Sequence, residues 1–97
     1  MEIKKTALAG TTESSDIQIT LSKGNDGIDV DLTSDVKKQF GDQIIKVITD
    51  TLGKFQINNA KVRAVDKGAL DCVIKARTVA AASRALNQED QINWEAL

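Results

Sequence analysis

At 97 residues, with 41% hydrophobic and 28% charged positions and a formal net charge of −1, the chain has the size and balance of one small globular domain. Near-neutral charge and only three aromatics (Phe40, Phe55 and Trp94) argue against nucleic-acid binding, since there is neither a basic footprint nor a stacking platform. The chain has no histidine, the commonest general base and metal ligand, and its one cysteine, Cys72, cannot form an internal disulfide.

Residues 1–15 are largely small, polar and aperiodic, and are expected to form a mobile N-terminal arm ahead of a single α+β domain over residues 16–97. The basic residues Lys4 and Lys5 are followed by no apolar core of a secretory signal, and no apolar run approaches bilayer-spanning length. A cytoplasmic protein with no membrane partner is expected. Ile17, Ile19 and Leu21 alternate with polar residues, as in a half-buried strand. Turn residues at 23–27 follow, and then Ile28, Val30 and Leu32 alternate in turn, so the two strands are expected to pair as a hairpin.

Thr33, Ser34 and Asp35 supply a helix start, and Val36, Phe40, Ile44, Val47 and Ile48 recur at helical spacing, predicting an amphipathic helix over about 34–52. Gly53 should weaken its last turn. The pattern then repeats. A strand is expected around Val62, a turn at Asp66-Lys67-Gly68, and a second strand through Leu70, Cys72 and Ile74. An alanine-rich helix should run over about 76–86, ahead of a polar tail from Asn87. The expected fold is therefore α+β: two strand-strand-helix units forming an antiparallel sheet with the helices packed on one face.

Several residue sets invite a chemical reading. Ser14, in an exposed arm, is open to a modifying enzyme but has no histidine to activate it as a catalyst. Lys67, between Asp66 and Gly68, has the local look of a lipoylated hairpin lysine, but that carrier fold is all-β and the helix at 34–52 argues against it. Cys72 shares its phase with Leu70 and Ile74 and reads as a buried, inert thiol. Asp26, Asp29 and Asp31 lack the glycine and distal glutamate of a calcium loop and read as a solvated face. Lys61, Arg63 and Lys75 read as a basic strip on the exposed sheet face, expected to pair with charges on neighbouring strands.

Three segments carry a more specific signal. Ala9-Gly10-Thr11-Thr12-Glu13-Ser14-Ser15-Asp16, Val36-Lys37-Lys38-Gln39-Phe40-Gly41-Asp42 and Asp66-Lys67-Gly68-Ala69-Leu70-Asp71-Cys72 occur in this order in a chain of this length. Together they resemble the acyl carrier family of citrate lyase, over essentially the whole chain. The resemblance implies a non-catalytic carrier subunit. It implies that Ser14 holds 2'-(5''-phosphoribosyl)-3'-dephospho-coenzyme A through a phosphodiester. Ser15, which stands where a glycine is common in that family, is the alternative attachment point. The resemblance further implies acetyl and citryl thioesters carried on that group, citrate lyase alpha and beta subunits as partners that cleave citrate to acetate and oxaloacetate, and a transferase that attaches the group. The other reading of the residues is a non-catalytic adaptor that binds partners through its exposed sheet face.

Overall fold

The computed structural model describes residues 3–24, 27–34 and 37–86, with the side chains of 37–40 left undescribed. The elements run β1 (Ala7–Ala9), β2 (Ile17–Lys23), β3 (Ile28–Ser34), α1 (Lys37–Lys54), β4 (Ala60–Asp66) and α2 (Asp71–Ala85). They build one four-stranded sheet in the order β1-β2-β4-β3, covered on one face by the two helices. The α+β class expected from the sequence is the class observed.

The central pair, β2 and β4, sets the core. They are antiparallel, with Ile19 opposite Ala64 and Leu21 opposite Val62. Alternation puts Ile17, Ile19 and Leu21 on the same face as Ala60, Val62 and Ala64, and all six are buried. Helix α1 buries Ile44, Ile48, Thr51 and Leu52, the turns at i, i+4, i+7 and i+8 that point toward the sheet. Val47 is only half-buried, at the margin of that stripe. The expected burial of Val36 and Phe40, the helix start at Asp35, the acidic Asp26 and the tail from Asn87 lie outside the described residues or side chains.

Two features of the sheet differ from the sequence-based expectation. The sheet is mixed, because β3 pairs with β4 in parallel, Val30 opposite Val62 and Leu32 opposite Ala64. Parallel neighbours need a long crossover, and the 18 residues of α1, rising about 1.5 Å each, carry the chain back to the starting edge. β2 and β3 consequently do not form a hairpin, since β4 lies between them. The connection from β2 to β3 passes over the start of β4 instead. A Cβ on Gly24 would stand 2.8 Å from the Ala60 backbone, so only glycine allows the crossing. Gly27 N–H then donates to Asn59 Oδ1 at 2.8 Å, and Ala60 N–H donates to the Gly27 carbonyl at 3.0 Å.

The other difference is the start of α2. Leu70, Cys72 and Ile74 do not form a strand: the helix begins at Asp71. Period-two alternation over five residues is too short to exclude a helix, and Ile74 with Thr78 makes an equally good helical pair. Asp71 in the first turn favours the positive end of the helix dipole. The correction exposes Cys72, which faces solvent and not the core, and moves Lys75 from the sheet to a helix. On the open sheet face, the register places Asp29 opposite Lys61 and Asp31 opposite Arg63, so the expected strip of positive charge is balanced by neighbouring carboxylates.

Helix α1 ends in a Schellman arrangement. Gln56 takes the left-handed conformation (φ +57°), and Ile57 N–H donates back to the Leu52 carbonyl at 3.2 Å. Ile57 and Leu52 are both buried, providing the apolar contact that accompanies this cap. Helix α2 packs over β1 and β2 and against α1. Its buried residues are mostly small, including Ala81, Ala82, Ser83 and Ala85, which allows close approach to the sheet.

Removing packing from the central layer should be expensive. Ile48→Ala, at a fully buried position, is expected to lower unfolding free energy by about 2–5 kcal/mol in urea titration. The opposite sign is expected at Ser83, whose buried hydroxyl has no hydrogen-bond partner among the described residues. Ser83→Ala removes an unsatisfied polar group and should raise stability by about 1 kcal/mol.

Candidate functional site

Ser14 sits on the loop of residues 10–16 that joins β1 to β2. Strand β1 comes from the segment expected to be an arm, and pairs Ala7 with Leu21 and Ala9 with Ile19. Two conformations shape the loop. Gly10 has φ +91°, and a Cβ there would lie 1.8 Å from the Ile17 carbonyl oxygen, so no other residue fits without moving β2. At the far end, Asp16 N–H donates to the Glu13 carbonyl at 3.2 Å, closing a turn whose two central residues are Ser14 and Ser15.

The second central position carries Ser15 at φ +65°. That is the conformation for which glycine is favoured in such turns. It gives a backbone reason for the glycine common at this position in the family the sequence resembles. Ser15 is also held from below, because its N–H donates to the Lys67 carbonyl at 2.7 Å. Ser14 stands at the first central position, exposed, with no hydrogen bond to its hydroxyl among the described residues. The turn thus leaves both serines exposed and fixes the backbone of the second.

Asp16 anchors the base of the loop. Arg77 of α2 donates to it in a two-pronged pair, Nε to Oδ1 and Nη2 to Oδ2, both at 3.0 Å. Thr11 Oγ1 donates to Oδ2 at 2.7 Å, and Ile17 N–H donates to Oδ1 at 2.7 Å. Thr11 in turn accepts from Glu13 N–H at 3.2 Å. The Asp16 carbonyl accepts from Lys67 N–H at 2.9 Å, which continues the β2–β4 pairing beyond the strands. The hydrogen bonds from Arg77 and then from Thr11 hold the Asp16 carboxyl down at about 2, below its ordinary 3.8.

The structure brings Lys67 beside the serine loop, but not as a hairpin tip. Asp66-Lys67-Gly68 links β4 to α2. Asp66 is buried and its carboxylate accepts from Ser34 Oγ at 2.9 Å and from Ala69 N–H at 3.0 Å. Gly68 supplies a left-handed turn at φ +89°. Immediately behind lies a cleft of about 400 Å³ between α1 and the start of α2, lined by Ile44, Ala69, Leu70 and Ile74, with Gln43, Asp66 and Asp71 as its polar members. Cys72 and the Asp29–Asp31 pair lie elsewhere, and no group of metal-ligating side chains occurs among the described residues. Arg77 escapes a reading of the sequence because its partner is 61 residues away; the one available signal is an arginine in an otherwise alanine-rich helix.

Breaking the anchor should loosen the loop without unfolding the domain. Arg77→Ala is expected to lower stability at neutral pH by about 1–2 kcal/mol, since it removes charge-assisted hydrogen bonds at a partly exposed position. The folded-state value for Asp16 is depressed, so its contribution is fully present above pH 3.8 and is lost as pH falls toward 2. Carboxyl titration followed by NMR should show the Asp16 midpoint rising toward 3.8 in Arg77→Ala; an unmoved midpoint would show that the pair does not form.

Comparison with known proteins agrees with this architecture. The family model described as malonate decarboxylase delta subunit (MdcD), an acyl carrier family, matches residues 4–85. A citrate lyase acyl carrier protein of Oenococcus oeni is 94% identical over 97 residues, covering all of both chains. Citrate lyase acyl carrier proteins of Lactobacillus helveticus and Lactococcus lactis are 65% and 56% identical, again over the full length of both chains. Among solved structures, a chain from a Pseudomonas malonate decarboxylase hetero-tetramer in complex with malonate has the same fold, with a TM-score of 0.63 at 19% identity over 88% of each chain. With an exposed serine on an anchored loop, a family model matched over most of its length and full-length relatives at 56 to 94% identity, the chain belongs to the citrate lyase acyl carrier protein family.

Proposed function

We propose that this chain is the acyl carrier subunit of a citrate lyase complex, with its prosthetic group attached to Ser14. The observation that supports the site is the turn at Glu13–Asp16, which leaves the serine hydroxyls at its two central positions exposed; the choice of Ser14 over Ser15 rests on the resemblance. An acyl carrier of this family implies a covalently attached prosthetic group. The resemblance of Gly10-Thr11-Thr12-Glu13-Ser14 to the family's modification segment makes that group 2'-(5''-phosphoribosyl)-3'-dephospho-coenzyme A.

The residues present fit such a group. A phosphodiester needs a free hydroxyl and no uncompensated carboxylate facing it. Ser14 offers the first; Asp16, the loop's inward carboxylate, is balanced by Arg77, and the Glu13 carboxylate beside Ser14 is exposed to solvent, which screens it. When bound, the group supplies a terminal thiol on which acetyl and citryl are carried. The chain's own residues bind and present it: Ser14 Oγ is the point of attachment, the Gly10 and Ser15 conformations hold the serine outward, and the Asp16–Arg77 pair fixes where the tether begins. Tethering raises the effective concentration of the acyl group at its partners' sites. No histidine is available for acid–base work, so chemistry falls to the partners.

Those partners are the alpha and beta subunits of citrate lyase, which exchange acetyl for citryl and then cleave it to oxaloacetate. A transferase recognises the loop and loads Ser14. The complex works in the cytoplasm, and no helix among the described residues is long and apolar enough to cross a membrane. Of the segment expected to be a mobile arm, Ala7–Ala9 are paired in the sheet, so the proposal places its mobility in the tip at 11–15, all exposed.

Ser14→Ala should leave stability within about 0.5 kcal/mol of the parent, as for exposed polar positions. It should eliminate the prosthetic-group mass and all activity of the reconstituted lyase. Ser15→Ala should still be loaded, more slowly to the extent that alanine resists φ +65°. Loading of Ser14→Ala but not Ser15→Ala would move the site by one residue. A chain that gains no mass in the presence of the transferase would instead be an adaptor.

A further inference from the structure

The cleft behind the Ser14 loop has no role in the attachment itself, yet its position and chemistry are unusual for a free surface. Its apolar wall includes Leu70, a large hydrophobic residue that is 71% exposed. Its volume of about 400 Å³ falls within the range of small-ligand pockets. It is also physically joined to the attachment loop. Ser15 N–H donates to the Lys67 carbonyl and Lys67 N–H donates to the Asp16 carbonyl, while Asp66 and Gly68, on either side of Lys67, line the cleft. Ser14 is therefore one residue from a position hydrogen-bonded to the segment that lines the cleft.

We infer that this cleft seats the adenine base of the tether attached to Ser14, so that the base is docked while the distal end stays free. The inference rests on the Ser14 reading. Three properties select this occupant. The first is charge: among the described residues the charged groups that line the cleft are Asp66 and Asp71, which disfavours phosphates and a carboxylate-bearing citryl group there. The second is polarity. A neutral, flat base matches the apolar faces of Ile44, Leu70 and Ile74, and its amino group is a donor. Gln43 Nε2 already donates to Asp71 Oδ2 at 2.7 Å, so the Gln43 carbonyl oxygen and the other Asp71 oxygen remain as acceptors.

The third property is reach. Only a phosphate and two ribose rings separate the serine oxygen from the base in the proposed group, whereas the thiol lies beyond the diphosphate and the whole pantetheine. Docking the base shortens the free part of the tether. It also narrows the volume the thiol must search.

The test is NMR of the full chain, isotopically labelled and compared before and after loading by its transferase. Cross-relaxation is expected between adenine ring protons and the methyl groups of Ile44, Leu70 and Ile74, with amide shifts at Ala69 and Asp71. These signals should be the same with a free thiol, an acetyl group or a citryl group. Leu70→Asp should abolish the ring-to-methyl signals and at least halve the amide shifts, while intact mass still shows the adduct. That variant should fold, because Leu70 is exposed and occupies the N-cap of α2 without a side-chain cap, a position that favours aspartate. Methyl contacts to acetyl or pantetheine protons in place of adenine, or none at all in a chain loaded at Ser14, would overturn the inference and leave the Ser14 reading standing. Peptide mapping that places no adduct on Ser14 would overturn both.

Discussion

The pairing of Asp16 with Arg77 is the constraint on which the site depends. It joins the end of one loop to the middle of a helix 61 residues later, across the edge of the sheet. Side-chain contacts of the loop gather on it, with Thr11 hydrogen-bonded to the same carboxylate and Glu13 N–H to Thr11, while the backbone of Ser15 and Asp16 bonds to Lys67. A planar guanidinium against a carboxylate fixes orientation as well as distance, which a lysine at Arg77 would not do. The loop is thereby rigid at its base and exposed at its tip. That division suits a carrier, whose attachment point must be recognisable to a modifying enzyme while its cargo moves.

The sheet serves the same end. Strand β4, buried on alternate positions and flanked on both sides, is the spine of the domain. Its last residue, Asp66, begins the segment that supports the serine loop, and its register with β2 places Ile17 opposite Asp66. The parallel β3 strand closes the other side, with Ser34 opposite Asp66 and hydrogen-bonded to it. Three separate stretches of chain therefore converge on the end of β4 from which the candidate site projects. The crossing at Gly24 lies at the opposite end, over Ala60, so the topological knot-point of the fold is kept away from the site.

Much of this was legible in the sequence, and the parts that were not have physical reasons. β2 and α1 each bury one face, so their periods stand out, Ile17-Ile19-Leu21 and Ile44 with Ile48, whereas β4 shows only as alternation around Val62 because Ala60 and Ala64 are small and Val65 follows directly. β1 was hidden because Ala7–Ala9 is three residues of small side chain with no contrast to read. The start of α2 was misread because Leu70, Cys72 and Ile74 satisfy a strand period over a window shorter than two helical turns. Strand order was not legible, since a parallel and an antiparallel neighbour can present the same alternation, and the decisive feature, the closeness of Gly24 to Ala60, is a contact between distant residues. At the site, the exposure of Ser14 follows from the composition of its segment, but its role comes from resemblance. The Asp16–Arg77 anchor left almost no local trace.

The role proposed for the Glu13–Asp16 turn is to present the Ser14 hydroxyl for covalent attachment. Peptide-level mass spectrometry of the chain purified from cells that make the complete citrate lyase tests it most directly. A single modified peptide spanning the 10–16 loop is expected, with fragment ions placing the whole phosphoribosyl-dephospho-coenzyme A mass on Ser14. An adduct on Ser15 or Lys67, or native protein with an unmodified loop in an active complex, would contradict it.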